Sequence, residues 1–140
     1  MRLSGAVAAA VKTLGGEPID PTQAERFWQG IREHTDPFFA SPLQLWRLSI
    51  KSTSPPLNLP GAQLIEWGGA LRWLATDAAA AIVRDAATQC GGHATLFRGG
   101  DKTAGVFQPL PAALQKIHHN LKRTFDPAGI FNPGRLYDSM

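Results

Sequence analysis

The segment DPAGIFNPGR, residues 126–135, carries side chains that could bind an anionic or heteroaromatic ligand. Its second half has the residue order of a type II turn, with Pro133 in the second position and Gly134 in the third. A rigid turn of this kind would hold the amide of Asn132 and the guanidinium of Arg135 in fixed positions, where both can donate hydrogen bonds. The sequence therefore predicts a rigid turn, and one interpretation is that this turn faces a ligand.

The same segment also has a purely structural interpretation. Ile130 and Phe131 are large and apolar, and they lie between two proline turns. Side chains of this kind are usually buried, so the segment would then close the hydrophobic core as a clip. Residue types alone leave the clip and the ligand site both open.

A second candidate site is the segment GGHATLFRGG, residues 91–100. His93 begins a short predicted strand and Arg98 ends it. A histidine could act as a base toward a 2-hydroxy acid, and an arginine could hold the carboxylate of that acid. The alternative is a strand-end histidine bonded to the backbone, with the arginine in solvent.

Two more arginines, Arg47 and Arg72, fall within predicted strands beside tryptophans. A buried arginine needs a partner, and Glu66 on the neighbouring strand is the expected one; an arginine directed at a ligand is the alternative. His118 and His119 are adjacent on a predicted helix, so they point about 100° apart and we expect them at the surface. No cluster of histidine, cysteine and carboxylates has ligand spacing, so no metal site is predicted.

Composition limits the class of protein. The 140 residues are 44% apolar and 18% charged, which is typical of one globular domain. The net charge of +3 is spread along the chain, so nucleic-acid binding is not expected. The single cysteine, Cys90, is typical of a cytoplasmic protein. No apolar stretch approaches the roughly 20 residues that span a bilayer, and Lys12 interrupts the N-terminal apolar run, which favours an amphipathic helix over a signal peptide.

A mixture of helices and strands must position these residues. Apolar spacing predicts helices over about 4–14, 21–34, 76–90 and 109–124, and strands over about 43–51, 63–76 and 93–97, the second folded as a hairpin around a Gly-Gly pair. Residues 1–3 are expected to end a strand. The cleanest helical repeat is Leu110, Leu114, Ile117, Leu121 and Phe125. The pattern predicts an α+β fold, an antiparallel sheet with helices packed on one face.

The motif FDPAGIFNPGR resembles the C-terminal signature of FAD-linked oxidases of the vanillyl-alcohol-oxidase type. Further segments, LWRLSI, LIEWGGALRWL, GGHATLFRG and GVFQPLP, are similar to the FAD-binding subunits of bacterial glycolate oxidases. The resemblance covers nearly the whole chain. It implies that residues 1–140 are the C-terminal cap domain of such a subunit, with a ferredoxin-like fold. The N-terminal FAD-binding domain, with its glycine-rich phosphate loop, is then absent.

In that family the NPG turn lies against the flavin, so the resemblance implies that Asn132, Pro133, Gly134 and Arg135 contact FAD. It implies oxidation of glycolate to glyoxylate, with electrons passed through an iron–sulfur subunit toward a membrane acceptor. The implied partners are the other glycolate oxidase subunits, and the implied location is the cytoplasm or the inner face of the membrane. This piece alone is expected neither to hold FAD tightly nor to turn over.

A second function is left open by the sequence, a noncatalytic α+β module that binds a small molecule or a protein. Four tryptophans and seven phenylalanines could leave an exposed apolar face on which a domain, a partner subunit or a second copy docks.

Overall fold

The computed structural model describes residues 2–137, apart from the side chains of residues 2–4 and 104. In this part of the chain the helices α1–α4 are Arg2–Leu14, Pro21–Arg32, Ala80–Gln89 and Ala112–Phe125. The strands β1–β4 are Gln44–Ser49, Ala62–Glu66, Leu71–Thr76 and His93–Arg98. Short 3-10 turns lie at Pro37–Ala40, Trp67–Gly69 and Lys102–Ala104. The chain divides into two compact units, residues 1–40 and 41–140.

The first unit contains α1 and α2. Asp20 caps α2 by accepting hydrogen bonds from the backbone N–H groups of Thr22 at 3.0 Å and Gln23 at 3.2 Å, and Pro21 is at the first helical position. Helix α1 already begins at Arg2. The expectation that a strand ends there was therefore wrong, and Met1 lies outside the described residues.

The second unit is built on an antiparallel sheet in which the strand order is β2-β3-β1-β4. The central strand β1 pairs with β3 from Gln44↔Thr76 to Ser49↔Leu71 and with β4 along its other edge. This confirms the predicted α+β class and its antiparallel sheet. The ferredoxin-like detail is not confirmed, since a loop rather than a helix joins β1 to β2.

The core lies between the sheet and α3. Side chains alternate along a strand, so Trp46, Leu48 and Ile50 share one face, as the sequence predicts, and all three are buried. Val83 and Ala87 of α3 are buried in the same cluster, because residues four apart lie on one face of a helix.

Helix α3 begins later than predicted, at Ala80. Thr76 still belongs to β3, and its hydroxyl accepts a hydrogen bond from the backbone N–H of Ala78 at 3.1 Å in the connecting turn. Ile82, the neighbour of the buried Val83, is 54% exposed.

The hairpin between β2 and β3 is confirmed, but its loop comprises residues 67–70 rather than the two glycines alone. Three successive loop residues, Trp67, Gly68 and Gly69, have positive φ. A Cβ on Gly69 would come within 2.8 Å of the carbonyl oxygen of Ser52, so this position requires glycine.

Substitutions on α3 test which face packs on the sheet. Val83→Ala removes two fully buried methyl groups and should lower the free energy of unfolding by about 2 kcal/mol. The matched control, Ile82→Ala, changes a half-exposed neighbour and should shift the free energy by less than about 0.5 kcal/mol. Urea denaturation followed by tryptophan fluorescence measures both. Equal losses would contradict the assigned face.

Candidate functional site

The C-terminal segment is held by one carboxylate, that of Asp126. Asp126 is 7% exposed, and its two oxygens accept hydrogen bonds from the backbone N–H groups of Ile130 and Phe131, each at 3.0 Å. The ammonium of Lys122, four residues earlier on α4, donates to the same carboxylate and to the carbonyl oxygen of Phe131. This set of bonds, the Asp126 clamp, folds residues 127–131 back against the end of α4.

Ile130 and Phe131 do not plug a core. They are 69% and 62% exposed. The interpretation that their side chains close the hydrophobic core was therefore wrong. The backbone of these residues is fixed instead, through polar bonds to Asp126 and Lys122.

The following turn has the predicted geometry. The backbone N–H of Arg135 donates to the carbonyl oxygen of Asn132 at 3.3 Å, which closes a four-residue turn. Gly134 has φ of 66°, as the third position of a type II turn requires. Asn132 itself has φ of 46°, a left-handed conformation that asparagine tolerates better than most residues.

The end of the described chain returns toward the sheet unit. The ring of Tyr137 lies 6.2 Å from the rings of both Phe107 and His118. Phe107 forms an isolated bridge with Thr95 of β4, and Leu96 donates to the carbonyl oxygen of Val106 at 2.9 Å. The segment after α4 therefore contacts the final helix and a loop that pairs with the sheet.

Between α4 and the folded-back segment lies a groove of about 470 Å³, here called the tail groove. Such a volume is typical of small-molecule sites. Its walls combine apolar side chains with polar ones, and they are Leu121, Phe125, Phe131 and Leu136 together with His118, Lys122, Asp126, Asn132 and Arg135. The turn residues Asn132 and Arg135, singled out from sequence, thus border the same concave surface.

Electrostatics in the tail groove are dominated by the Asp126 clamp. The hydrogen bond from Lys122 holds the pKa of the Asp126 carboxyl below its ordinary value, burial opposes that shift, and the two backbone N–H groups reinforce it. Lys122 is thereby committed to Asp126. Within the described residues the guanidinium of Arg135 makes no hydrogen bond or ion pair, so it is the cation in the groove that can meet a ligand.

Sequence reasoning missed two members of the groove. His118 was expected at the surface, but it is partly buried and lines the groove; its neighbour His119, also partly buried, bonds to the carbonyl oxygen of Gln115 at 2.8 Å. Lys122 was not among the predicted site residues. Its distance of four residues from Asp126 was the available signal, because such pairs meet on one helix face.

The second candidate pair, His93 and Arg98, is exposed and lies at the two ends of β4. Their positions are five steps apart along the strand, so their Cα atoms are separated by about 16 Å. The pairing register shifts between Leu45 and Trp46, which marks a bulge beside Arg98. The structure does not bring this pair to the tail groove, and their catalytic roles stay predictions.

The expected pairing of arginine with Glu66 was wrong. Arg72 is 3% exposed and donates to the backbone carbonyl oxygens of Ser54 at 2.6 Å, Pro55 at 2.7 Å and Gly69 at 3.3 Å. Glu66 instead accepts a hydrogen bond from the indole of Trp73 at 3.0 Å. Arg72 therefore holds a loop in place.

Arg47 remains exposed on the sheet, opposite Thr95.

No group of three or more histidine, cysteine, aspartate or glutamate side chains within the described residues could hold a metal ion. In the same part of the chain, no helix is both long and apolar enough to cross a membrane.

The Asp126 clamp should open on acidification. The pKa of Asp126 is lowered in the folded state, so its stabilisation is complete above the ordinary value of 3.8 and is lost as the pH falls from there through the lowered pKa. We expect the backbone amide signals of Ile130 and Phe131 to move together in an NMR titration, with a midpoint below 3.8. Asp126→Asn should abolish this transition. A midpoint at or above the ordinary value would contradict the clamp.

The chain is similar over most of its length to a known bacterial protein. Over 133 residues, 95% of this chain, the sequence is 50% identical to glycolate oxidase subunit GlcE of Escherichia coli (strain K12). The chain spans 36% of the length of GlcE. No protein-family model matches the chain, and no solved structure matches it. The resemblance to bacterial glycolate oxidase subunits that the motifs indicate is confirmed by this identity.

Proposed function

We propose that this chain is the C-terminal part of the FAD-binding subunit of a glycolate oxidase, and that the tail groove forms one wall of its flavin site. The identity to GlcE supports the protein class. The observation that carries the site is the groove itself, because it joins the NPG turn to an apolar floor. The name of GlcE and the motifs support the proposed reaction class, oxidation of glycolate to glyoxylate.

The residues of the tail groove fit the ring end of a flavin. Phe125, Phe131 and Leu136 offer apolar surface that can cover a flat aromatic system. Asn132 supplies an amide, and Arg135 supplies a planar cation, so both can donate to ring oxygen and nitrogen atoms.

The same groove does not fit the pyrophosphate of FAD. It lies at the C-terminal end of α4, where the last carbonyl groups and the helix dipole give a partial negative charge. Phosphates prefer the opposite end of a helix, where N–H groups are free. We therefore propose that the phosphate-binding surface lies in another part of the full subunit, and that this chain alone holds FAD weakly.

A flavin bound in the groove would supply the hydride-accepting chemistry for oxidation of the acid. Arg135 would bring a positive charge toward the ring, because the turn fixes its backbone while its guanidinium stays available for a ligand. Phe131 and Leu136 would shield the ring from water, because they form part of the apolar wall of the groove. We retain His93 as the proposed base and Arg98 as the proposed carboxylate anchor. They lie at opposite ends of β4 and an odd number of positions apart, so their side chains start from opposite faces of the strand. The two roles are therefore proposed separately, and one small acid does not contact both within this strand.

Partners follow from the proposed class. GlcE is named as a subunit, so other glycolate oxidase subunits, including an FAD-linked and an iron–sulfur subunit, are the proposed partners of the full protein. A cytoplasmic location, at the inner face of the membrane through those partners, is part of the same proposal.

A chimera tests the flavin site. The matching 133-residue segment of GlcE is replaced by this chain, and flavin retained after gel filtration is measured by absorbance. Arg135→Gln should lower the affinity for FAD about tenfold, because one charge-assisted hydrogen bond is lost. Lys116→Gln makes the same change of charge on another side of α4 and should leave retention unchanged.

Two results would overturn the proposal. One is equal flavin retention in the Arg135→Gln and Lys116→Gln chimeras. The other is tight stoichiometric binding of FAD by the 140-residue chain alone, measured by quenching of flavin fluorescence.

A further inference from the structure

We infer that an apolar stripe on α4 is the surface on which the rest of the flavoprotein subunit docks. The stripe consists of Leu114, Ile117, Leu121 and Phe125. Its occupant is the part of the polypeptide that corresponds to the portion of GlcE outside the match. The inference rests on the proposed function and names the partner of that site.

The stripe is uncovered within its own unit. Its four side chains are 46%, 52%, 51% and 78% exposed, and α4 has no buried residue. No strand or helix of residues 41–137 packs extensively against α4. An isolated helix of 14 residues is only marginally stable in water. Most helices in proteins are stabilised by an apolar face that packs on a partner. The apolar repeat of α4 is typical of a helix packed on a partner, and the described part of this unit does not supply that partner.

The folded-back segment extends the stripe and gives it a fixed shape. Phe131 and Leu136 are 62% and 57% exposed, and they line the tail groove beside Leu121 and Phe125. The Asp126 clamp holds this concave surface before any partner arrives. The groove is left for the proposed flavin ring, so the domain that carries this ring would cover Leu114 and Ile117 and bring the ring to Leu121 and Phe125. A flat and fluid bilayer offers no such shaped ligand.

The charges around the stripe indicate what kind of protein docks. Every charged residue of α4 is basic: Lys116, Lys122 and Arg123, with two histidines besides. Asp126, the nearby carboxylate, is already committed to Lys122. A two-fold dimer through the stripe would bring like charges together, which disfavours a second copy. The occupant is therefore an apolar patch rimmed by aspartate and glutamate.

The size of the match supplies such an occupant. This chain corresponds to 36% of GlcE, so nearly two thirds of that subunit lies outside the match. The remaining segment is large enough to form a domain with its own core. Continuity of one polypeptide would keep it at high effective concentration next to α4.

Thiol labelling in the chimera tests the docking. Cys90→Ala removes the native cysteine, and Ile117→Cys then reports on the stripe, while Asn120→Cys reports on an exposed position of the same helix. In the isolated chain both cysteines should react with maleimide at similar rates. In the GlcE chimera, Ile117→Cys should react at least about tenfold more slowly, with Asn120→Cys unchanged, as quantified by peptide mass spectrometry.

Each other outcome overturns the inference. Equal labelling of both positions in the chimera shows that nothing covers the stripe. Protection of Ile117→Cys in the isolated chain that grows with protein concentration identifies a second copy. Protection that appears only with vesicles of phosphatidylglycerol identifies a membrane surface.

Two further measurements keep the test decisive. If the chimera is insoluble, cysteines are placed in full-length GlcE at the positions aligned with Ile117 and Asn120, and the same ratio is required. Flavin content is recorded separately from labelling. A protected stripe without retained flavin supports docking and overturns the flavin site, whereas retained flavin with an unprotected stripe overturns docking alone.

Discussion

The buried carboxylate of Asp126 determines the structure of everything that follows α4. Four hydrogen-bonded contacts involve it or its partner Lys122, and they fix the backbone at Ile130 and Phe131. The side chains of those two residues contribute little, since both are largely exposed. A carboxylate that accepts backbone N–H groups and an ammonium is satisfied on all sides, and such charge-assisted bonds are the strong ones. The NPG turn stands where it does because this anchor precedes it.

The unit that contains the sheet has one part whose apolar side chains are buried and another part whose apolar side chains are exposed. Between the sheet and α3, the core is closed: Trp46, Leu48 and Val83 are fully buried. Arg72 also holds an irregular loop in place, because it donates hydrogen bonds to carbonyl oxygens of that loop. Helix α4 has the sequence pattern of a packed helix without the packing. The proposed flavin wall and the proposed docking face both lie on this incomplete side, and they share Leu121 and Phe125.

Local chemistry made much of this structure predictable. The cap at Asp20, the alternation along β1 and the positive φ at Gly134 each depend on residues close in sequence, so residue types decide them. The groove-facing position of Asn132 and Arg135 was expected from the stiffness of the turn and from the resemblance to flavoproteins.

Other features depend on distant parts of the chain, and the sequence could not supply them. Arg72 bonds to carbonyl groups 17 and 18 residues away. Every residue has a backbone carbonyl group, so the sequence does not indicate which ones an arginine will bind. The helical repeat of α4 indicates an apolar face but says nothing about where its partner is encoded. Ile130 and Phe131 were expected inside because their side chains are apolar, whereas polar bonds of the backbone decide their place.

The bonds of the Asp126 clamp all close short loops, none longer than nine residues. Short loops lose little conformational entropy on closure, and closing ten residues takes on the order of 10–100 ns. The segment therefore needs no long-range contact to reach its final form, and it can mature as soon as α4 exists. During synthesis, this segment would be ready, once it leaves the ribosome, to receive whatever had folded before it.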